Sequence, residues 1–262
     1  MNLAVVTFKN RRMLISLIKS DFKDRYLGHH LGIIWAFIQP LVMVAVYWFV
    51  FTHGFRISAV ANVPFLLWLL AGLVPWFLLN EAIISSSNAI VSQSFFVKKI
   101  VFEVKLLPIV KVGSAILVNL IFLSFLICVC IAYGFYPNVW WLQLIYYMGC
   151  IIAISLSLGL LISAIMPFWS DVGQILIVVM QVLFWATPIM WNKDMLSGNY
   201  SYFIKLNPFS YIIEGFRTTI INQIPFWHSY DQMIYFWLFV LVCVFFGNIA
   251  FNKLRPHFAD VL

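Results

Sequence analysis

The sequence predicts an all-α membrane protein: six transmembrane helices, an N-terminal amphipathic interfacial helix, a short cytoplasmic helix between spans two and three, and short re-entrant outer helices between spans five and six. Two observations carry that prediction. Val112 to Ser170 runs 59 residues without an Asp, Glu, Lys or Arg. As one helix it would reach about 88 Å at ~1.5 Å per residue, roughly three times the ~30 Å hydrocarbon core of a bilayer, so it must fold back on itself. Gly134, Phe135, Tyr136, Pro137 and Asn138 supply the turn. The whole chain is also 64% hydrophobic and 10% charged, with a mean hydropathy of +0.99, which leaves no room for a separate water-soluble domain. The apolar residues show no strand-like alternation, and backbone groups in lipid must be satisfied internally, so helices are expected rather than a barrel.

Uninterrupted apolar stretches place the six spans at Ile33 to His53, Val63 to about Ile84, Leu107 to Tyr133, Trp141 to Met166, Val172 to Trp191, and Met233 to Phe251. Each is near the ~20 residues needed to cross. Residues 1–32 form a cytoplasmic amphipathic segment and 33–262 a single six-span domain. With the N-terminus inside, twelve Lys and Arg residues fall on the cytoplasmic side, and only Arg56, Lys193, Lys205 and Arg217 fall outside. That asymmetry puts both termini in the cytoplasm. The net charge of +7 then reflects topology and attraction to anionic headgroups, and nucleic-acid binding is not needed to explain it.

Three non-spanning segments carry further information. Between Met13 and Arg25, Leu14, Leu17, Ile18 and Phe22 recur at helical spacing, opposite Arg12, Ser16, Lys19, Ser20 and Lys23, as in an interfacial helix. The cytoplasmic loop holds Phe95, Phe96, Val97, Lys98, Lys99 and Glu103. Adjacent rings beside paired lysines fit two readings: a short helix that inserts into a groove of another protein, or interfacial anchoring by Phe with snorkelling Lys. The outer segment Asn192 to Gln232 is too long for a tight turn and too aromatic for a free loop. Two short helices broken near Pro208 and Pro225 fit it best.

Chemistry is conspicuous by what the sequence lacks. No Gly-x-x-x-x-Gly-Lys-Ser/Thr pattern occurs, so ATP binding by this chain itself is not expected. Glu81 and Asp171, the carboxylates in or bordering the spans, have no second carboxylate or His close in sequence for acid–base work. Glu81 sits among Asn80, Ser85, Ser86, Ser87 and Asn88, which reads as the wet inner end of span two. The four cysteines fall inside spans, read as packing residues, and no metal site is expected. The first 32 residues, basic and without a continuous apolar core, do not resemble a cleavable signal peptide. Aromatic content of 18% exceeds what two interfacial belts require. Tyr47, Trp185, Trp191, Tyr202 and Phe209 are candidates for stacking on sugars along a conduit, with lipid-facing packing the rival reading for each.

These residues together resemble the membrane-spanning subunit of ABC exporters for cell-surface polysaccharides, the group that moves O-antigen, capsule and teichoic-acid chains. The resemblance begins with Arg25, Tyr26, Leu27, Gly28, Leu31, Gly32, Trp35 and Pro40, and continues through Gly72, Leu73, Pro75, Trp76 and Phe77. It includes Lys98 and Pro108, then Asp171, Gln181, Thr187, Pro188, Ile189 and Trp191, and closes with Asn207, Pro208, Phe209, Glu214 and Arg217. His29 and His30 depart from it, since relatives often carry a small hydroxyl residue there. The resemblance implies an inner-membrane homodimer with two copies of a separate ATPase, ATP and Mg being bound by that partner and no cofactor by this chain. It implies a coupling helix near Phe95 to Glu103, an inner entrance shaped by Arg25, Tyr26, Gly28 and Gly32, and a glycan carried on a polyprenyl diphosphate lipid, most simply O-antigen. A drug or lipid exporter of the same fold is the alternative within the class. An intramembrane transferase acting on lipid-linked sugars is the alternative outside it, and needs convergent acidic or His residues that the sequence does not show.

Overall fold

A computed structural model describes residues 10–26, 32–60, 63–97, 103–195 and 200–262. The chain opens with α1 (Arg11–Tyr26), followed by α2 (Trp35–Phe49), which a π turn extends to Gly54. A small antiparallel pair, β1 (Ala59–Val60) and β2 (Val63–Pro64), turns the chain into α3 (Phe65–Ser87). Two short turns, α4 (Ala89–Ser92) and α5 (Ser94–Val97), precede α6 (Leu106–Ala132). Gly134 adopts φ +84° in the turn that follows, where the charge-free stretch was expected to reverse. Asn138 then caps a 3-10 turn leading into α7 (Gln143–Ile165).

Among the described residues, five helices are long and apolar enough to cross a membrane: Trp35–Gly54, Phe65–Ser87, Leu106–Ala132, Val139–Ile165 and Phe226–His257. The fifth expected span, Val172 to Trp191, differs. Its helix, α8 (Asp171–Ala186), has 16 residues and covers about 24 Å. Thr187 is extended (φ −90°, ψ 138°), as the residue before a proline prefers, and Pro188 cannot continue the helix. The segment after α8 contains the short helices α9 (Tyr200–Leu206) and α10 (Pro208–Arg217), with Pro208 in the first turn and the Asn207 side chain accepting from the Phe209 amide. A π turn and Pro225 then lead to α11 (Tyr230–Leu254), and the short α12 (Phe258–Val261) ends the chain.

Span two is the centre of the molecule. Leu67, Leu69, Leu73, Leu79 and Ala82 of α3 are wholly buried, and its helix packs against α6, α7 and α10. By contrast α2 is scarcely covered: 6% of its apolar window is buried, and Trp35, Val42, Val46 and Phe49 stay exposed. In α8 the exposed face includes Ile175, Val178, Val182 and Trp185. The amphipathic helix α1 does more than lie on an interface. Leu14 is buried with Leu106 and Val110, while Leu17 and Ile18 pack beside them, so part of the apolar face expected to meet lipid is instead spent on α6.

Candidate functional site

At one end of the bundle, α1 is tied down by charge. Asp21 is 5% exposed. It holds Nε of Arg25 at 3.1 Å and Nζ of Lys111 at 2.5 Å, and accepts from Ser114 Oγ at 2.5 Å. Burial pushes its carboxyl up, but the Lys111 and Ser114 hydrogen bonds and the Arg25 and Lys111 charges outweigh that and hold it below the usual carboxylate range. Arg25 also reaches Glu81 through Nη1. Glu81 is half-exposed, and its partner lies 56 residues away in sequence. The i,i+4 spacing of Asp21 and Arg25 was the one local signal of this network.

Beyond the Arg25–Glu81 pair lies a cavity of about 680 Å³ between α1, α2, α3 and α6. Arg25, Gln39, Asn80 and Glu81 supply its polar wall, and Met43, Phe77, Val118 and Phe122 its apolar wall. Asn119 also lines it, donating through Nδ2 to the Val74 carbonyl at 3.0 Å. Its buried Oδ1 has no hydrogen-bond partner among the described residues. Of the expected inner-entrance residues, Arg25 is central to this region and Gly32 takes φ +52°, a left-handed backbone that favours glycine. Gly28 lies outside the described residues, as does the Tyr26 side chain.

At the opposite end, Arg217 is 3% exposed and binds three segments together. Its guanidinium lies 3.5 Å over the Trp68 ring. Nη2 donates to the Ile189 carbonyl at 2.6 Å, and Nη1 to the Pro188 carbonyl and to Glu214 at 3.0 Å. Glu214 in turn pairs with Lys193 at 3.1 Å, and Asn207 donates to Thr187 Oγ1 at 2.9 Å. A Cβ on Gly72 would sit 2.6 Å from Arg217 Nη2, so glycine there makes room for the guanidinium. Thus the carbonyls freed where Pro188 breaks α8 are satisfied by an arginine from α10. Burial pulls Arg217 down to about 10, with Glu214 opposing, which leaves it charged at neutral pH.

Between α4 and α6, Phe95 of α5 is 65% exposed. Phe96 and Val97 belong to α5, while Lys98 and Lys99 lie outside the described residues. The segment is braced from below. Glu103 pairs with Arg255 at 3.4 Å, Lys105 donates to Asn252 Oδ1 at 2.7 Å, and Phe258 is buried among Ala89, Ile90, Val104 and Leu107. Burial and the nearby Arg255 charge lower the Lys105 ammonium, against a smaller upward pull from Glu103.

The expected conduit rings separate. Phe209 is 4% exposed and set edge-on to Trp76 with centroids 6.2 Å apart, so it serves the core: Asn207 and Pro208 fix the first turn of α10 with that ring against α3. Tyr47 stacks on Phe184 at 6.0 Å. Trp185 is exposed, and its carbonyl accepts from Trp191 Nε1 at 2.9 Å. The Tyr202 side chain lies outside what is described. All four cysteines are free, and no cluster of His, Cys, Asp or Glu suited to a metal ion occurs among the described residues.

Comparison with known proteins adds the family. Residues 12–221 match the ABC-2 type transporter family. The chain is 27% identical over 255 residues to the O-antigen export system permease protein RfbA of Klebsiella pneumoniae, with 95% of each chain covered. It is 25% identical over 258 residues to the protein of that name in Myxococcus xanthus, covering 97% of this chain and 96% of the relative. The polysialic acid transport protein KpsM of Escherichia coli is 20% identical over 238 residues, covering 88% of this chain and 89% of the relative. A match that spans α1 to the π turn after α10, on a fold of apolar membrane-length helices, shows that the chain belongs to the ABC-2 type transporter family.

Proposed function

We propose that this chain is the membrane-spanning subunit of an ATP-driven exporter that carries a polyprenyl-diphosphate-linked polysaccharide, of the O-antigen class, across the bacterial inner membrane. The observation that carries the reading is similarity over 95% of both chains to a permease named for O-antigen export. The chain has no phosphate-cradling loop in its sequence, so ATP and Mg are assigned to a separate ATPase subunit. That subunit docks at Phe95 to Glu103, where an exposed ring stands on a segment braced by the C-terminal tail. Two copies of this chain assemble through the uncovered faces of α2 and α8, which leave Val42, Val46, Val178 and Val182 exposed in the single chain. Glycan passes at the centre of the dimer, and Tyr47, Trp185, Trp191 and Tyr202 are the rings assigned to it. Both termini are cytoplasmic, on the strength of the basic-residue asymmetry.

The test is affinity purification of the tagged chain in mild detergent from its own host. The reading expects a nucleotide-binding ATPase subunit in equal molar ratio and a particle containing two copies of each. A chain that purifies without an ATPase while retaining sugar-transfer activity on lipid-linked sugars would reverse it.

A further inference from the structure

The cavity beside Arg25 and Glu81 sits within one chain, where the loosely held α2 leaves a gap against α3 and α6. Its lining is graded along the helices. Arg25, Gln39, Asn80 and Glu81 stand toward the inner membrane surface, while Met43 and Phe122 stand deeper. A polar mouth opening on an apolar depth is the shape of a site for an amphiphile, and about 680 Å³ falls in the ~300–1,000 Å³ range of small-ligand sites.

The charges decide which amphiphile. Arg25 faces two carboxylates, Asp21 and Glu81, and Lys111 is held by Asp21, so the cluster is balanced rather than basic. A purely anionic head would meet Glu81 at the mouth. A head carrying both a phosphate and a hydrogen-donating cation meets both needs. The two ion pairs of Arg25 engage Nε and Nη1 of a five-donor group, while Glu81 is 46% exposed and accepts on open faces.

We infer that this cavity binds one membrane phospholipid per chain, of the phosphatidylethanolamine class, with its phosphate against Arg25, its ammonium against Glu81 and an acyl chain along Met43, Phe77 and Phe122. The lipid completes the packing of α2 that the chain alone does not supply. A charge-assisted hydrogen bond from the ammonium to Glu81 contributes about tenfold in affinity over a head that lacks N–H donors.

Native mass spectrometry of the purified chain from nanodiscs of equimolar phosphatidylethanolamine, phosphatidylcholine and phosphatidylglycerol tests this directly. One phosphatidylethanolamine per chain should be retained, about tenfold over either competitor. Glu81→Gln should erase the preference over phosphatidylcholine. Ala36→Phe, which fills the cavity from the half-buried α2 wall that lines it without touching its charges, should abolish retention of all three while the thermal unfolding midpoint shows the chain still folded. Equal retention of the three lipids, or retention indifferent to Ala36→Phe, overturns the site. Loss with Ala36→Phe but no preference for the amine head overturns the assigned lipid class. None of these readings depends on ATP hydrolysis or export.

Discussion

Arg217 and Asp21 are buried charges at opposite ends of the molecule, and each is tolerated because fixed partners replace its water. Removing one partner strands the rest. Arg217→Ala leaves Glu214 and the Pro188 and Ile189 carbonyls short of a donor, and should cost about 3–5 kcal/mol, read as a fall in thermal midpoint in detergent. Arg217→Lys should not restore it, since one ammonium cannot cover the Trp68 face and reach both carbonyls as a planar fork does. Full rescue by Lys would show that the fork is irrelevant. Asp21 makes a pH prediction. Its folded pKa lies below the unfolded value of about 3.9, so its contribution to holding α1 is complete above that value and is lost as pH falls through the lower one. Hydrogen exchange of α1, taken relative to the intrinsic amide rate at each pH, should therefore be flat from neutral pH to about 4 and rise below it, and Asp21→Asn should raise it at neutral pH. A rise centred near pH 6 would assign the control to another group. Sequence exposed these residues unequally. Arg217 stood out as an outer cation in a family-like motif, whereas Asp21 was lost on a helix otherwise read as half apolar and half basic. Its partners, Lys111 and Ser114, come from a helix some 90 residues on, a pairing no local pattern encodes.

At the scale of elements, the apolar runs placed the long helices because only helices satisfy the backbone in lipid, and the charge-free hairpin turned at Gly134 as its length required. The fifth run was overestimated by counting apolar residues through Thr187 and Pro188, where backbone sterics end α8 while the composition stays hydrophobic. The last helix was underestimated, since Tyr230, Asp231 and Gln232 look like loop yet continue α11 toward its start. The amphipathic period of α1 was legible, but which structure its apolar face meets was not, because lipid and the flank of α6 ask for the same residues. The segment from Phe95 to Glu103 yields a coupling prediction. Phe96→Ala and Lys99→Glu should each leave the chain inserted and folded but weaken its hold on the ATPase, by about 2 kcal/mol or more than ~25-fold where the residue is a hot spot. Unchanged ATPase co-purification and unchanged surface glycan in both variants would return this segment to lipid anchoring.

For the molecule as a whole, the basic residues predict a topology that labelling can check. In a cysteine-free background, single cysteines at Ser92 and Leu254 should react only once a reagent reaches the cytoplasm, and one at Ser58 should react from outside. Reaction of Ser58 from the inside would overturn the arrangement of spans. The central claim is that this membrane domain moves finished glycan and does not make it. The most direct measurement is the distribution of glycan in a host whose copy of this chain is deleted and then complemented. Export predicts that surface glycan disappears on deletion, that lipid-linked glycan of full length accumulates on the cytoplasmic side, and that complementation reverses both. Surface glycan that persists, or a deletion strain that accumulates no lipid-linked polymer, would contradict it.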